Sequence, residues 1–317
     1  MSNILVTGGA GFIGAHVAKA LLLAGDTVTI LDDFNDFLYP STLKQARLAS
    51  FFTGEIRPKV IAGNILDTRL LAQLFEDGKF DKVVHLAAHA NPGFSVERGE
   101  EYTLVNVLGT FNILKLCTEY DVVQCVIAGS SSVYNDEQTP FTEDSYPLNP
   151  RSPYGASKAA AEIYAQMWSD LQGLSVTVLR FFSVYGPWGR PDMAPFILAR
   201  QVLRDETIFL SKDRQRDFTY IDDVVAGILL ALERKFDFEV INLGRGEPVE
   251  LRSFVGALEA AAGKKAHVVD REAPPGEMRV TFANTKKAKE LLGYEPKVSV
   301  EEGTKKLVDW LKEFEKE

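Results

Sequence analysis

Cysteine, positive charge and long apolar runs are all scarce in this sequence. Among 317 residues there are two cysteines and no CxxC pair, which excludes a disulfide framework and favours a reducing compartment. The formal net charge of −9 argues against nucleic acid as a main partner, because phosphate backbones bind basic surfaces. No apolar run approaches the roughly 20 residues of a membrane span. No HExxH motif and no cluster of cysteine and histidine predicts a metal site.

The first residues, MSNILVTGGAGFIG, also lack the pattern of an export signal. They contain neither a basic segment ahead of an apolar core nor a cleavage site. Together with the few cysteines, this leads us to expect a cytoplasmic protein that works without a membrane. Hydrophobic residues make up 46% of the chain and charged residues 25%, which is ordinary for a globular protein.

Short β-branched runs alternate with helical patterns through the first half of the chain, and one of the predicted helices spans Leu104–Tyr120. This alternation predicts repeated βαβ units, and hence a Rossmann-type doubly wound parallel sheet in the α/β class. After about Ser183 the regularity falls, although a strand near 240–243 is expected to return to the main sheet. We therefore expect a Rossmann domain over 1–182 and, mainly over 183–317, a smaller interleaved lobe that binds the substrate.

A glycine-rich segment, TGGAGFIG at 7–14, follows the first predicted strand and opens a helix. Gly8 suits a tight turn, Gly11 the close approach of a pyrophosphate to the helix N-terminus, and Gly14 close packing of helix on strand. Asp32 ends the second predicted strand, where a carboxylate accepts hydrogen bonds from ribose hydroxyls. Asp33 follows, and we expect no arginine or lysine near it to meet a 2′-phosphate. The Rossmann domain is therefore expected to bind NAD rather than NADP.

A tyrosine and a lysine lie four residues apart in YGASK at 154–158, on one face of a predicted helix. A phenol with a pKa of about 10 is a poor base at neutral pH. A nearby ammonium and the positive nicotinamide of NAD⁺ favour its phenolate. YxxxK alone is common by chance. Here it accompanies the glycine pattern and three adjacent hydroxyls, Ser130-Ser131-Ser132, that follow a predicted buried strand.

The motifs together resemble those of the extended short-chain dehydrogenase/reductases, and among these the nucleotide-sugar epimerases. The matching segments are TGGAGFIG, HLAA at 85–88, NVLGT at 106–110, SSSVY at 130–134, YGASK and RDFTYIDD at 216–223. The resemblance runs from residue 3 to about 312. RFFSVYGPWGRPDMAP at 180–195 and DDFNDF at 32–37 are most similar to UDP-glucuronate 4-epimerases.

The resemblance implies conversion of UDP-glucuronate to UDP-galacturonate by hydride transfer from C4 to NAD and a 4-keto intermediate. Tyr154 would be the base for the 4-hydroxyl, Lys158 would hold the ribose hydroxyls, and Ser130 would hydrogen-bond the 4-oxygen. A homodimer formed through helices 104–120 and 156–171 is also implied. Cofactor contacts are implied for Gly8, Gly11, Phe12, Ile13, Gly14, Asp32, Asn64, Ile65, Leu86, Ala87, Ala88, Asn106, Tyr154 and Lys158.

On the substrate side, the resemblance implies that Arg216 pairs with the diphosphate of the UDP-sugar. It also implies that Glu277 lies at the uridine ribose. Arg190 would contact the uronate or gate the site; an ordinary surface position is the other interpretation.

Related decarboxylases and 4,6-dehydratases carry an acidic residue where Ser132 stands. Our hypothesis is that Ser131, Ser132 and Ser183 hydrogen-bond the substrate carboxylate and hold it out of the alignment that loses CO₂. The alternative is that Ser131 and Ser132 only cap the end of a strand.

Three other functions stay open. An arginine that uronate epimerases often have after HLAA is absent from HANPGFS at 89–95, which favours UDP-glucose 4-epimerisation. A UDP-glucuronate decarboxylase or a sugar-nucleotide 4,6-dehydratase is disfavoured by Ser132. A non-catalytic dinucleotide sensor could dispense with Tyr154 and Lys158.

Overall fold

The computed structural model describes residues 1–54, 57–135, 139–273 and 278–316. Its strands are β1 Asn3–Thr7, β2 Thr27–Asp32, β3 Lys59–Ala62, β4 Lys82–His85, β5 Gln124–Ser130, β6 Ser175–Phe181, β7 Ser183–Tyr185, β8 Ile208–Ser211, β9 Gln215–Arg216, β10 Phe218–Tyr220, β11 Phe238–Leu243, β12 Val249–Glu250, β13 Val268–Arg271 and β14 Val280–Thr281. Its α-helices are α1 Phe12–Leu23, α2 Ser41–Phe51, α3 Thr68–Gly78, α4 Pro92–Ser95, α5 Gly99–Thr103, α6 Thr110–Glu119, α7 Pro153–Gln172, α8 Ala194–Leu203, α9 Ile221–Leu232, α10 Leu251–Ala262, α11 Lys286–Leu292 and α12 Val300–Phe314.

The main sheet confirms the predicted Rossmann-type fold. In the described chain, seven strands pair in parallel in the order β11-β6-β5-β4-β1-β2-β3. β1 pairs with β2 on one side and with β4 on the other, so the order of strands reverses there. At such a reversal a crevice opens beyond the carboxyl ends of the strands, and ligands of this fold bind in it.

Apolar side chains on both faces of the sheet bury it between two helical layers. Along β1, Ile4 and Val6 belong to one core cluster and Leu5 to the other, because successive strand residues point to opposite faces. The first cluster includes residues of α1 and α9, and the second includes residues of α3, α6 and α7. This arrangement fixes the sheet and leaves its carboxyl edge as the place for a site.

The C-terminal elements are built on three small sheets, β10-β7, β12-β9-β14 and β13-β8. The buried carboxylate of Asp217, between β9 and β10, joins the segments that follow β11 and β14, because it accepts hydrogen bonds from the backbone N–H groups of Arg245, Gly246 and Ala283 at 2.7, 2.9 and 3.1 Å. Residues of α10 and α12 share a core cluster with β1 and α1. β11 returns to the main sheet and pairs with β6. The division of the chain after residue 182 stays a prediction.

The structure differs from the sequence-based expectations in two respects. The predicted helix Leu104–Tyr120 is divided into a wide π-helical segment, Leu104–Gly109, followed by α6. In the segment after residue 183, α8, α9 and α10 are regular helices of 10 to 12 residues, although the sequence pattern weakens there. Over the described ranges, no helix has the length and apolar character needed to cross a membrane.

Candidate active site

A cavity of about 470 Å³ opens at the carboxyl edge of the main sheet, and most of the predicted site residues line it. These residues are Gly8, Gly11, Phe12, Ile13, Gly14, Asp32, Asn64, Ile65, Leu86, Ala87, Ala88, Ser130, Ser131, Ser132, Tyr154, Lys158, Ser183, Arg190 and Arg216. Asn106 does not contribute to this lining, and Glu277 lies outside the described residues. One cavity therefore contains both the predicted cofactor residues and the predicted substrate residues.

The glycine loop between β1 and α1 packs so closely that side chains do not fit. Gly8 has a φ of +68°, and a Cβ there would lie 2.7 Å from the backbone nitrogen of Ala87. A Cβ on Gly14 would clash with the carbonyl of Gly8. The loop is therefore a concave backbone surface ahead of the N-terminus of α1, where a phosphate can approach backbone N–H groups.

Two carboxylates at the end of β2 are paired with a lysine that the sequence analysis missed. Asp32 accepts hydrogen bonds from the backbone nitrogens of Ala10 and Phe34, at 3.1 and 2.9 Å. Lys44 Nζ lies 3.5 Å from Asp32 Oδ1 and 4.0 Å from Asp33 Oδ1, and it lines the cavity. The expectation that no cation lies near Asp32 is therefore wrong, since α2 folds back over the carboxylates.

Tyr154 and Lys158 project from the first turns of α7. This helix is capped by Ser152, whose hydroxyl accepts a hydrogen bond from the backbone nitrogen of Gly155 at 3.1 Å. Burial raises the pKa of Tyr154, whereas the hydrogen bond with Ser130 and the positive charge of Arg190 lower it. Lys158 Nζ donates to the carbonyl of Ala128 at 2.9 Å. Burial lowers the pKa of Lys158 to about 8.

The three adjacent serines form the end of β5 and a tight turn. Ser130 is the last residue of β5, and its hydroxyl accepts a hydrogen bond from the backbone nitrogen of Ser132 at 3.1 Å. A Cβ on Gly155 would clash with the carbonyl of Ser132, so α7 starts in direct contact with this turn. The contact places Ser130 and Tyr154 side by side.

Arg190 is not an ordinary surface residue. Its side chain is 16% exposed, and Nε and Nη2 bind the two carboxylate oxygens of Asp192 at 3.0 and 2.6 Å. Asn91 Nδ2 donates to the same carboxylate at 3.1 Å. Arg190 lies on the cavity wall near Tyr154, where its positive charge favours the phenolate.

Arg47 is a second residue that the sequence analysis missed. Its fully buried guanidinium donates to the carbonyl of Ala10, in the glycine loop, at 2.5 Å and to the carbonyl of Trp188 at 2.8 Å. It thus joins the glycine loop to the segment that carries Arg190. Lys44 and Arg47 lie three residues apart on α2, and both charged side chains face inward. The sequence analysis did not predict α2, and recognising this helix would have placed the two cations on one face.

Asn106 supports the site from outside the cavity wall. Its side chain accepts from the backbone nitrogen of His89 at 2.8 Å and donates to the carbonyl of His89 and to Ser157 Oγ, each at 2.9 Å. It therefore ties α7 to the segment after β4. His85 is buried between the hydroxyls of Thr7 and Thr110, at 2.7 and 3.0 Å, and burial lowers its pKa to about 3.

Residues 4–244 match the NAD dependent epimerase/dehydratase family. The chain belongs to this family. A UDP-glucuronate 4-epimerase of Thermodesulfobacterium geofontis is 39% identical over 316 residues, which are 99% of this chain and 97% of that protein.

Solved structures of two epimerases are similar over the whole chain. One is a UDP-glucuronic acid 4-epimerase from Bacillus cereus in complex with UDP-glucuronic acid and NAD, with a TM-score of 0.91 and 36% identity. The other is a UDP-glucose 4-epimerase from Thermotoga maritima with UDP-glucose, with a TM-score of 0.88 and 31% identity. In both cases 98% of this chain and 99% of the other chain are covered.

The contact between Gly155 and Ser132 predicts a stability loss for Gly155→Ala. The added Cβ meets backbone, which cannot rotate away, so we expect about 1–3 kcal/mol of destabilisation in denaturant-induced unfolding. Gly256→Ala in α10 is the matched control, because a Cβ there meets nothing within 4 Å. We expect it to be neutral or to stabilise by up to about 1 kcal/mol. Equal unfolding midpoints for the two variants would contradict the contact.

Proposed function

We propose that this protein is an NAD-dependent UDP-sugar 4-epimerase that converts UDP-glucuronate to UDP-galacturonate. The observation that carries the proposal is the meeting of Tyr154, Lys158 and Ser130 on the wall of the cavity that also contains the glycine loop. The similarity to UDP-glucuronate 4-epimerases over nearly the whole chain supports it. A cytoplasmic location, and the absence of nucleic acid as a partner, stay expectations from composition.

The residues of the glycine loop fit a dinucleotide. The backbone between Gly8 and Gly14 forms a concave surface that a Cβ would fill, and Asp32 lies at the end of the next strand. NAD would be held by the loop at its pyrophosphate and by Asp32 at the adenosine ribose. Lys158 would hold the nicotinamide ribose. When bound, NAD supplies a reversible hydride acceptor next to Tyr154.

Tyr154 removes the proton from the 4-hydroxyl of the sugar, and Ser130 hydrogen-bonds the same oxygen. Burial raises the pKa of Tyr154, and the hydrogen bond with Ser130 and the positive charge of Arg190 oppose this rise. Loss of this proton from the oxygen and of hydride from C4 to bound NAD would together give a 4-keto sugar. The sugar would then turn over within the cavity, and hydride returned to the opposite face of C4, with the proton returned from Tyr154, would give the epimer. Arg216, on the cavity wall, pairs with the diphosphate.

The side chains around the catalytic groups suit a uronate that must keep its carboxylate. A 4-keto uronate is a β-keto acid and tends to lose CO₂. Ser131, Ser132 and Ser183 line the cavity and offer neutral hydroxyl donors. Arg190 contributes a cation to the same cavity, which offsets the missing arginine at 89–95.

UDP-glucose is the second candidate substrate. The similarity to the UDP-glucose 4-epimerase of Thermotoga maritima covers the same share of the chain. Serine hydroxyls also hydrogen-bond a neutral 6-hydroxymethyl group, so the serines alone do not separate the two sugars.

Proton NMR of the purified protein with NAD⁺ and either UDP-glucuronate or UDP-glucose tests the assignment. We expect UDP-galacturonate from UDP-glucuronate, with no pentose product and no net change in NAD. Tyr154→Phe should lower kcat by at least about 10²-fold, because general-base catalysis contributes 10²–10⁴-fold.

The control for this experiment is a tyrosine that does not line the cavity. Tyr146→Phe changes an exposed tyrosine and should keep normal turnover. Conversion of UDP-glucose alone would overturn the uronate assignment. No conversion of either sugar would overturn the proposed function.

Replacing Ser132 by glutamate tests the role of the serine turn. The glutamate places a carboxylate in the cavity, where it repels the substrate carboxylate and can act as a general acid or base. We expect Ser132→Glu to lower epimerisation and to raise the fraction of decarboxylated, pentose-containing product. Ser132→Thr keeps a hydroxyl and serves as the control. Normal epimerisation by Ser132→Glu without pentose product would contradict the hypothesis.

We further propose that the protein is a homodimer formed through the surface that α7 shares with the segment before α6. Exposed apolar side chains lie there, namely Leu104, Leu108, Ile163, Tyr164 and Leu171, which are 42%, 46%, 65%, 39% and 69% exposed. The two helices are joined beneath them by the ring of Phe111, which contacts the rings of Tyr164 and Trp168. A second copy of this surface would cover these side chains.

Ile163→Asp is expected to shift the protein from dimer to monomer, because a carboxylate would be buried in an apolar interface. The measurement is size-exclusion chromatography with light scattering. Phe209→Asp is the matched control, since Phe209 is 56% exposed but lies on β8, in the C-terminal part. A wild-type protein that is monomeric at micromolar concentration would overturn the proposal.

A further inference from the structure

A buried ion pair lies directly beneath the catalytic residues. Arg180 on β6 is 0% exposed and Glu162 on α7 is 6% exposed. Arg180 Nη2 lies 2.7 Å from Glu162 Oε2, and Nε lies 3.2 Å from each carboxylate oxygen. Desolvating two charges is costly, and apolar residues of similar volume often give equal or greater stability. Stability alone therefore does not account for the pair.

The other side of the same guanidinium holds the serine turn. Arg180 Nη1 donates to the hydroxyl of Tyr134 at 2.6 Å, and this hydroxyl donates to Asn242 Oδ1 at 2.9 Å. The guanidinium also lies 4.8 Å from the centre of the Tyr134 ring. Tyr134 follows the turn that begins at Ser130. Arg180 thus binds both elements that carry the proposed catalytic groups, the turn through Tyr134 and α7 through Glu162.

Gly129 leaves room for the Arg180–Glu162 ion pair next to β5. Gly129 precedes Ser130 on β5, and a Cβ there would lie 3.1 Å from both Arg180 Cγ and Glu162 Oε1. It would also lie 2.9 Å from a methyl group of Val178. The ion pair therefore packs directly under the residue before Ser130.

Glu162 also faces Lys158, one helical turn away on α7. The groups facing Lys158 come from three elements among the described residues. Tyr154 and Glu162 lie on α7, His85 lies on β4 with its pKa lowered by burial to about 3, and the carbonyl of Ala128 on β5 accepts from the ammonium. Burial lowers the pKa of Lys158, and Glu162 is the charge that opposes this shift among the described residues.

We propose that Arg180, Glu162 and Tyr134 form a positioning network that holds Ser130 against Tyr154 and maintains the charge on Lys158. The proposal rests on the proposed function, because it takes these three residues as the catalytic groups. The network has two separable parts. Arg180 and Tyr134 set geometry, and Glu162 sets the electrostatic environment of Lys158.

The electrostatic part is tested by Glu162→Gln, in which the shape is kept and the charge is lost. NMR of isotope-labelled lysine, assigned with Lys158→Met, follows the titration of Lys158 without any need for activity. We expect its pKa to fall by about one unit. The sign follows because Glu162 favours the charged ammonium, so without it the proton is lost at lower pH. In the active enzyme the basic limb of the pH profile of kcat/KM should move down equally.

Two further variants separate the loss of the Glu162 charge from other effects of the substitution. Glu162→Gln leaves a buried arginine without its partner, so the double variant Glu162→Gln/Arg180→Met removes both charges and restores balance. It should give the same shift of Lys158. Glu143→Gln is the matched control, because Glu143 is also buried and accepts from the backbone nitrogen of Asn242 at 2.8 Å. It should leave Lys158 and the pH profile unchanged.

The geometric part is tested by Tyr134→Phe, which removes the hydroxyl but no charge. We expect kcat to fall about tenfold through a displaced Ser130, with KM and the pH profile unchanged. If the titration of Lys158 is unchanged in both Glu162→Gln and Glu162→Gln/Arg180→Met, the electrostatic part is overturned. A wild-type kcat for Tyr134→Phe overturns the geometric part. If the wild-type protein converts no UDP-sugar, the proposed function fails, whereas the titration of Lys158 still decides the role of Glu162.

Discussion

Close approach of backbone to backbone at the carboxyl edge of the sheet is the constraint on which the site depends. Gly8 lies against the backbone of Ala87, and Gly155 against the carbonyl of Ser132. The first contact joins the segments that follow the neighbouring strands β1 and β4, and the second joins the turn after β5 to the start of α7. Because no side chain separates them, the glycine loop, the serine turn and the start of α7 share one small cavity. Within it, Tyr154 is hydrogen-bonded to Ser130 and Lys158 to the carbonyl of Ala128.

Several charged side chains around this edge are buried, and burial determines how these charges are arranged. Each buried cation described around the site has an oxygen partner. Lys44 lies against Asp32, Arg190 against Asp192 and Arg180 against Glu162. An isolated charge would be costly in such a place, and pairing lowers this cost while keeping the charge fixed in position. Fixed charges suit a reaction in which a proton leaves a hydroxyl and then returns to it.

Much of this could be predicted from the sequence, because the features concerned are local. The glycine spacing, the aspartate at the end of β2 and the pairing of Tyr154 with Lys158 on one helical face all follow from short-range geometry. The doubly wound sheet follows from the alternation of strands and helices. The described residues predicted for the cofactor and the substrate line one cavity, with Asn106 as the exception.

The remaining features depend on contacts between distant segments. Lys44 meets Asp32 only because α2 folds back over the end of β2, and Arg47 reaches Trp188 across 141 positions of the chain. The division of the helix predicted over Leu104–Tyr120 accompanies a similar contact, since Asn106 in the π-helical segment binds His89 and Ser157. Periodicity reports which face of a helix is apolar. It does not report which distant backbone group a polar residue on that helix will meet.

The pairing of charges also bears on the choice of sugar. A uronate carboxylate that enters the cavity meets Arg190 already bound through two nitrogens to Asp192. Such an arginine has fewer N–H groups left to offer, so a second carboxylate must share it or gain its hydrogen bonds elsewhere. The hydroxyls of Ser131, Ser132 and Ser183 can supply them without adding a charge that would stabilise proton loss at C5. On the proposed function, a cavity with paired cations and neutral hydroxyls would bind a uronate carboxylate through several weak donors and hold it out of the alignment that loses CO₂.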